Sequence, residues 1–244
     1  MCLIAVAYRA SSRYVLTLAA NRDERHGRPS LGADWWRSDK TVLGGRDLLA
    51  GGSWLAINRA GRVAAVTNFA SSDGPAAARS RGRLVADFMD AAEPLDEFSR
   101  RLEAEAGLYA GFNLLLFDGS ELRYLSNRAA SQALPAGVHS LSNQALGADW
   151  PKLGLAERSL NATLDHDDPT ESLLEFLATR IEAGPRRDQY RRSPFIAGGD
   201  YGTRASTIIL IDPQGRAQFV ERSFDAEGRE TGTRRFRFML DAGS

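Results

Sequence analysis

The residues best suited to covalent chemistry lie at the start of the chain. Cys2 follows Met1 and is the single cysteine of the sequence. Methionine aminopeptidase removes Met1 when the second side chain is small, so Cys2 would carry a thiol and a free α-amine. An α-amine with a pKa near ~7.7–8.0 can take the thiol proton at neutral pH, which makes one residue both nucleophile and general base. Composition alone favours the alternative, a small buried residue at the start of an edge strand.

A charged segment, Asn21-Arg22-Asp23-Glu24, comes directly after the second predicted strand. The first two strands are predicted to form a hairpin, which brings the end of the second beside the start of the first, near Cys2. Asp23 could then hold the α-amine, and Arg22 could favour the thiolate. The alternative interpretation is an ordinary charged turn.

Polar residues also occur at other strand ends. Asn68, Asn113 and Asn143 each adjoin a short apolar run and could donate to a developing oxyanion, although a turn or cap is the better interpretation of any one alone. A glycine-rich turn at 198–204 places Arg204 at the start of a predicted strand, where its guanidinium could bind an anion or carboxylate. This turn lacks the lysine and spacing of a P-loop.

The elements that must position these residues are mostly hairpins. Apolar runs separated by short polar or glycine-containing turns predict an antiparallel α+β protein, and helices that come in pairs argue against a doubly wound parallel sheet. The predicted strands are 3–8, 14–20, 53–58, 62–68, 111–117, 121–126, 137–142, 205–211, 214–222 and 234–240; the predicted helices are 79–92, 94–106, 151–164 and 170–183. An arginine-rich loop at 184–201 is predicted to form part of the site.

Composition excludes several classes of protein. Lys plus Arg and Asp plus Glu are both 31, so the formal net charge is zero, which argues against a general nucleic-acid binder. One cysteine forbids an internal disulfide, and Arg9 and Arg13 interrupt the apolar start of the chain. No His/Cys spacing suits zinc. The sequence therefore predicts a cytoplasmic protein without a membrane segment, metal or cofactor.

Several motifs occur together in a recognisable order. They are Met1-Cys2, the segment 20–25 with Arg28-Pro29, the segment 51–55 containing Trp54, Thr67-Asn68, the segment 111–114, the segment 141–143 with Trp150 and Lys152, and the segment 201–204 with its following apolar strand. In this order the chain resembles the NRDE (Transport and Golgi organisation) family from Met1 to about Arg222.

That family is similar to N-terminal nucleophile hydrolases, which implies a four-layer αββα sandwich and a single domain over 1–244. The related cholylglycine hydrolases and penicillin V acylases cleave non-peptide amide bonds with an N-terminal cysteine. The resemblance implies catalytic roles for Cys2, Arg22, Asp23, Asn68, Asn143 and Arg204, and substrate-binding roles for Asn21, Asn113, Tyr201 and Trp54. Those acylases carry Arg-Asn-X-Asp where this chain has Asn21-Arg22-Asp23-Glu24, so Asp23 is the firmer assignment than Arg22.

Two functions follow as hypotheses. The first is a cysteine hydrolase that acts on a small-molecule substrate with a non-peptide amide or related acyl bond. The second is a carrier or chaperone that keeps the fold without the chemistry and holds a hydrophobic ligand, either haem or an acyl lipid or acyl-CoA. In the haem case His26 or Cys2 would ligate the iron.

Overall fold

The strands of the described residues form two antiparallel sheets. The computed structural model describes residues 2–36, 40–70, 78–182 and 184–241. The chain divides into a first unit of Met1–Arg28, Ala136–Ser142 and Gly147–Met239, and a second unit of Pro29–Pro135, Asn143–Leu146 and Leu240–Ser244. Each unit contains one of the sheets together with its own helices.

The elements are numbered in chain order. The strands are β1 Leu3–Tyr8, β2 Leu16–Arg25, β3 Ser30–Trp35, β4 Val42–Asp47, β5 Leu55–Asn58, β6 Val63–Asn68, β7 Phe112–Phe117, β8 Leu122–Ser126, β9 Gln132–Leu134, β10 Gly137–Leu141, β11 Tyr201–Ile211, β12 Arg216–Phe224 and β13 Glu230–Met239. The α-helices are α1 Gly82–Asp90, α2 Leu95–Glu105, α3 Pro151–Thr163, α4 Thr170–Leu177 and α5 Arg186–Arg192, and a 3-10 turn covers Ala106–Leu108.

The first unit is a six-stranded sheet in the order β10-β1-β2-β11-β12-β13. Alternate residues of β1, Leu3 and Ala5, point to one face of the sheet, where they join a buried apolar cluster with Leu160 of α3 and Leu173 of α4. The intervening residues, such as Ile4, are also buried. A strand that is buried on both faces reads as a continuous apolar run, which is the pattern of β1.

The second unit is a seven-stranded sheet, β3 to β9, in which every strand pairs with its neighbours in sequence. Helices α1 and α2 cover one face through a cluster that includes Phe88 and Phe98, whose rings meet edge to face with centroids 5.0 Å apart. The turn between β5 and β6 places Gly61 at φ +83°, a conformation that glycine adopts without strain.

The α+β class with two antiparallel sheets and helices is confirmed, and so are all four predicted hairpins. The single-domain boundary 1–244 stays a prediction. No helix among the described ranges combines the length and apolar character that crossing a bilayer requires.

Several predicted boundaries were wrong. The predicted helix 170–183 ends at Leu177 (residue 183 lies outside the described residues), and the predicted loop 184–201 contains α5. The strands β3, β4 and β9 were not predicted. In β4 the reason is visible, because Gly44 and Gly45 erase the apolar alternation that marks a strand.

Strand β2 also continues through Arg25, so Asn21 to Glu24 belong to the strand and do not form a turn after it. Likewise β11 begins at Tyr201, four residues before the predicted strand start at 205. These two polar strand extensions pair with each other, from Tyr201↔Arg25 to Ser206↔Asn21. Polar residues interrupt the apolar run in the sequence, but the ladder of hydrogen bonds continues through them.

Candidate functional site

The backbone of Cys2 is held from two directions within the first unit. The hydroxyl of Ser142, which follows β10, donates to the Cys2 carbonyl at 2.6 Å. The Nζ of Lys152, in the first turn of α3, lies 3.4 Å from the same oxygen. The Cys2 residue itself is half-buried. The start of β1 is therefore anchored by side chains from α3 and from the residue that follows β10.

Pairing of β1 with β2 places the charged segment beside Cys2. Leu3 lies opposite Asn21, so Cys2 adjoins Arg22, the next residue along β2. The Arg22 side chain is buried with 7% exposed. Successive strand residues point to opposite faces, so Arg22 faces away from the side on which Asn21 and Asp23 lie.

A bulge in β11 aligns its polar side chains with those of β2. The register passes from Thr203↔Asp23 to Ala205↔Arg22, which leaves Arg204 as the extra residue. Without the bulge, Thr203 and Ser206 would point to opposite faces. With the bulge, Thr203 donates to Asp23 Oδ1 at 2.7 Å and Ser206 donates to Asn21 Oδ1 at 2.6 Å.

Asp23 is a buried carboxyl with spare acceptor capacity. Only 4% of the residue is exposed, and within the part of the chain that is described Oδ2 has no hydrogen-bond partner. The hydroxyl of Tyr201 donates to its main-chain carbonyl at 3.0 Å. Burial raises the pKa of Asp23, while the nearby Lys152 charge and the Thr203 hydrogen bond act in the opposite direction.

Lys152 was not predicted as a site residue, although it is fully buried. Burial lowers the pKa of its amine, and the electrostatic interaction with Asp23 opposes that shift. A signal was present in the sequence: Lys152, Ala156 and Leu160 recur at helical spacing and share the buried face of α3. A lysine at a core position of an amphipathic helix needs a partner, and here the partners are Asp23 and the Cys2 carbonyl.

Asn21 is used by the scaffold in this structure. Its Nδ2 donates to the carbonyls of Leu177 and Pro194, at 2.8 and 2.9 Å, and its Oδ1 accepts from Ser206. Both amide N–H groups are therefore engaged, and neither is left for the substrate contact that was predicted. The amide instead ties β2 to the end of α4 and to the chain after α5.

Arg204 and His26 stabilise the turn that follows β2. The Arg204 guanidinium donates to the carbonyls of Arg25 and Arg28. The His26 backbone N–H donates to the Asp200 carbonyl at 3.0 Å, and its Nε2 is buried without a hydrogen-bond partner among the described residues. A Cβ at Gly202 would lie only 3.1 Å from that Nε2, so the imidazole faces protein in this structure.

The remaining predicted residues lie in the second unit. Nδ2 of Asn143 donates to the Asn68 carbonyl at 2.7 Å, and the Asn143 carbonyl accepts from the N–H of Ala70 at 2.7 Å. The two predicted oxyanion residues are thus paired with each other. Trp54 lies against Gly45, where a Cβ would meet its ring at 2.0 Å.

Asn113 is at the centre of a closed network in the same unit. It is fully buried; Nδ2 donates to the Gln144 carbonyl at 2.9 Å and to Thr67 Oγ1 at 3.3 Å. Its Oδ1 accepts from the Tyr124 hydroxyl at 2.7 Å. As with Asn21, the amide is occupied by the protein itself, so the predicted substrate contact finds no free N–H.

The first unit brings the main chain of Cys2 together with a buried acid, Asp23, and a buried amine, Lys152. Among the residues described, no group of three or more His, Cys, Asp or Glu side chains could hold a metal ion. A cysteine with neighbouring proton acceptors is suited to nucleophilic attack on an acyl carbon.

Solved structures with a similar fold are N-terminal nucleophile hydrolases. The N-acylethanolamine-hydrolyzing acid amidase orthologue of Caenorhabditis elegans aligns with a TM-score of 0.56 at 13% identity, covering 86% of this chain and 92% of that one. The C2A mutant of conjugated bile acid hydrolase from Clostridium perfringens aligns with a TM-score of 0.51 at 10% identity, covering 100% and 99%. At these identities the likeness shows the fold, which is that of this hydrolase class.

The sequence itself gives the family. Residues 1–226 match the model of the family Transport and Golgi organisation 2, and the chain belongs to that family. The Bos taurus Transport and Golgi organization protein 2 homolog is 34% identical, covering 98% of this chain and 100% of that protein. The Homo sapiens homolog is 32% identical over 99% and 100% of the two chains.

Proposed function

We propose that this protein is an N-terminal cysteine hydrolase of non-peptide amide or related acyl bonds. The observation that carries the proposal is the anchored Cys2: its carbonyl accepts from Ser142 and lies 3.4 Å from Nζ of Lys152, and Asp23 on the adjoining strand is buried with one oxygen unpartnered. A buried carboxyl with spare acceptor capacity can orient an amine, as the free α-amine of a processed Cys2 would require. The fold and the cysteine at position 2 of the bile acid hydrolase, altered in its C2A mutant, give independent support.

The proposed reaction has two half-steps. The α-amine of Cys2 accepts the thiol proton, and the thiolate attacks the acyl carbon to form a tetrahedral intermediate. That intermediate collapses to a thioester as the C–N bond breaks, and the α-ammonium returns the proton to the leaving amine. Water then loses a proton to the α-amine and attacks the thioester, and the thiol regains that proton as the carboxylic acid leaves.

The other predicted residues complete the proposal. Asp23 orients the α-amine. The family resemblance implies an oxyanion role for Asn68 and Asn143, which within the second unit are hydrogen-bonded to each other. Arg22 and Arg204 set the local charge. The Arg204 guanidinium also donates to the carbonyls of Arg25 and Arg28.

The first test is the intact mass of the purified protein before and after a brief dose of iodoacetamide. The sequence has one cysteine, so the alkylation site is unambiguous. The proposal expects a mass short by one methionine and rapid single alkylation at neutral pH. A retained methionine with a sluggish thiol would remove the α-amine from the mechanism, and a haem titration with a Soret shift lost in Cys2→Ala or His26→Ala would then favour the carrier.

The second test is turnover. N-acylethanolamines and conjugated bile acids, the compounds named for the two solved structures, are suitable probes because both are acyl amides. Cys2→Ser should lose most of the activity and Cys2→Ala essentially all of it, with circular dichroism confirming that both variants fold. Undiminished turnover by Cys2→Ala would exclude the cysteine mechanism.

A further inference from the structure

The exposed large hydrophobic side chains of this protein are unevenly distributed. Among the described residues they are Leu31, Leu48, Leu49, Leu108 and Met239. Three of these five lie in the second unit on or directly after the paired strands β3 and β4, with 50%, 52% and 66% of Leu31, Leu48 and Leu49 exposed. A single exposed leucine is ordinary, but a group of neighbouring ones marks a surface that contacts an apolar partner.

Strand pairing makes the three leucines neighbours. Leu31 lies opposite Arg46, and the N–H of Leu48 donates to the Pro29 carbonyl at 3.0 Å, so the pairing continues past the end of β4. Leu48 is then the diagonal neighbour of Leu31, within reach of its side chain. Leu31 together with residues 47–52 is called the leucine loop below.

The N–H groups of the leucine loop have partners within the protein. The Asp47 N–H donates to the Gly52 carbonyl at 3.0 Å. Asp47 Oδ1 accepts from the N–H groups of Leu49 and Ala50, at 3.0 and 3.1 Å. With the bond from Leu48, four consecutive N–H groups are engaged. Such a loop can enter a lipid interface without leaving these groups unpaired, which would be costly there.

The loop is also held in one shape by the start of α1. Gly52 has φ +86°, and a Cβ at this position would lie 2.2 Å from the Gly82 carbonyl oxygen. The N–H of Ser53 donates to the same oxygen at 3.0 Å. Because the loop is fixed before it binds anything, Leu48 and Leu49 lose less conformational freedom on binding than side chains of a mobile loop would.

The size and charge of the leucine loop favour a lipid surface over a second copy of the chain. A stable protein interface takes roughly 20–30 residues a side, and this apolar patch has only three leucines. Arg46, opposite Leu31, is exposed and has no ion-pair partner among the described residues. Its guanidinium can reach lipid phosphates while its stem lies along apolar surface. The carboxylate of Asp47 is turned to the loop backbone.

We propose that the leucine loop docks on the surface of an anionic lipid bilayer, with Leu48 and Leu49 in the apolar layer and Arg46 at the lipid phosphates. The docking is peripheral and reversible, because a few side chains supply it. This inference goes beyond the proposed hydrolase function and involves no catalytic step.

The test is flotation of the purified full chain with vesicles of phosphatidylcholine, alone or mixed with phosphatidylglycerol. The variants are the double change Leu48→Gln/Leu49→Gln and the single change Arg46→Gln. Met239→Gln is the matched control, because Met239 is an apolar side chain of the first unit with 54% exposed. All these positions are exposed, so the melting temperatures should stay close to that of wild type.

Wild type and Met239→Gln should bind vesicles that contain phosphatidylglycerol. The double variant should lower the partition coefficient about tenfold or more, because two apolar side chains no longer enter the lipid. Arg46→Gln should lower it about fivefold on anionic vesicles and leave it unchanged on phosphatidylcholine alone.

A fluorophore at the loop reports insertion directly. Leu49→Cys in a Cys2→Ala background gives one labelling site, since the chain has a single cysteine. An NBD group there should gain emission intensity and shift to the blue on anionic vesicles, whereas the same group at Met239→Cys should not change.

Three results would overturn the inference. They are no association of wild type with either vesicle, equal partition of the double variant and the control, and an NBD signal at position 49 that does not respond to lipid. Self-association of wild type in analytical ultracentrifugation that is lost in the double variant would assign the loop to a second copy instead. Turnover of a water-soluble acyl amide plays no part in this test, so the hydrolase proposal succeeds or fails separately.

Discussion

The two units each bury a polar network in their sheet, and the networks differ in completeness. In the second unit Asn113 uses both the nitrogen and the oxygen of its amide on protein partners, and the partners Thr67, Gln144 and Tyr124 are neutral. In the first unit the network on β2 and β11 contains a carboxyl and an amine, Asp23 and Lys152, and leaves one carboxyl oxygen unpartnered among the described residues. A buried neutral network with all its hydrogen bonds made helps to specify the fold. A buried ionisable network with an unused acceptor lowers stability, so it is expected mainly at functional sites.

The same contrast appears within the first unit. Asn21 lies two residues before Asp23 on the same face of β2, and its amide makes three hydrogen bonds with the scaffold. Among the described residues, the Asp23 side chain accepts one hydrogen bond, from Thr203. Two polar residues of similar size and burial thus differ in how fully their hydrogen-bonding capacity is used. The difference arises because the neighbouring elements supply more partners to Asn21 than to Asp23.

The largest expected effect is a loss of stability when a charge is placed in the hydrogen-bond network of Asn113. Asn113→Asp replaces two N–H donors with a carboxylate that donates nothing toward the Gln144 carbonyl and Thr67. We expect a loss of about 3–5 kcal/mol in the free energy of unfolding, measured by urea denaturation at neutral pH. Asn68→Asp is the matched control, because that side chain is exposed, and should change stability by less than about 0.5 kcal/mol. Equal effects at the two positions would contradict the comparison.

The reciprocal change in the first unit should affect activity and spare stability. Asp23→Asn keeps the acceptor for Thr203 and removes a buried carboxyl, and Lys152 can then release its proton, so no unpaired charge stays buried. We expect turnover to fall by about a hundredfold or more, with the free energy of unfolding unchanged or increased.

Glu24→Gln makes the same chemical change one residue along β2 and is the control for Asp23→Asn. It should keep turnover within about threefold, as a partly exposed side chain away from the network would. A large loss of stability in Asp23→Asn would show that the carboxylate serves the fold, as Asn113 does.

Sequence patterns could predict the hairpins, because turn glycines and apolar alternation act over a few residues. They could also predict that Cys2 lies beside the segment Asn21 to Glu24, since a hairpin brings the end of β2 back to the start of β1. The partners of Asn21 could not be predicted, because the carbonyls it binds lie 156 and 173 residues further along the chain. A polar residue in a strand looks the same in sequence whether its partners are a substrate or the protein.

Lys152 and the bulge at Arg204 show a second limit. Helical spacing identifies Lys152 as buried, but its proximity to Cys2 depends on how α3 docks on the sheet. The bulge shifts the β11 register by one residue and so decides which side chains face Asp23. Single-residue register changes of this kind have no local sequence signal, although they determine the composition of the site.

A smaller effect is expected from removing one hydroxyl group in each unit. The Thr203 hydroxyl donates to Asp23 and the Tyr124 hydroxyl donates to Asn113, both at 2.7 Å. Thr203→Val and Tyr124→Phe should each cost about 1–3 kcal/mol of stability. Thr203 also accepts the Ile196 N–H at 2.9 Å, so its removal should cost the more. Only Thr203→Val should alter function: it removes a hydrogen bond that lowers the pKa of Asp23, and the acid limb of the pH–rate profile should move to higher pH. An identical change in Tyr124→Phe would refute the assignment.

The smallest expected effect is in the pH dependence of stability. Burial raises the pKa of Asp23 in the folded protein above its unfolded value near ~3.9. Between these two pKa values, the folded state binds more protons than the unfolded chain does. The free energy of unfolding must therefore fall as pH rises through that window. Lys152 has the opposite sign: burial lowers its pKa, and its contribution rises with pH up to the unfolded value near ~10.4. The test is urea unfolding of wild type and Asp23→Asn at a series of pH values. Above pH ~4 the free energy of unfolding of the variant should rise relative to that of wild type. The rise should be about 1.4 kcal/mol for each tenfold difference between the folded and unfolded proton affinities of Asp23. A difference that stays constant with pH would mean that Asp23 titrates alike in the folded and unfolded chain, and that its network is as complete as the one around Asn113.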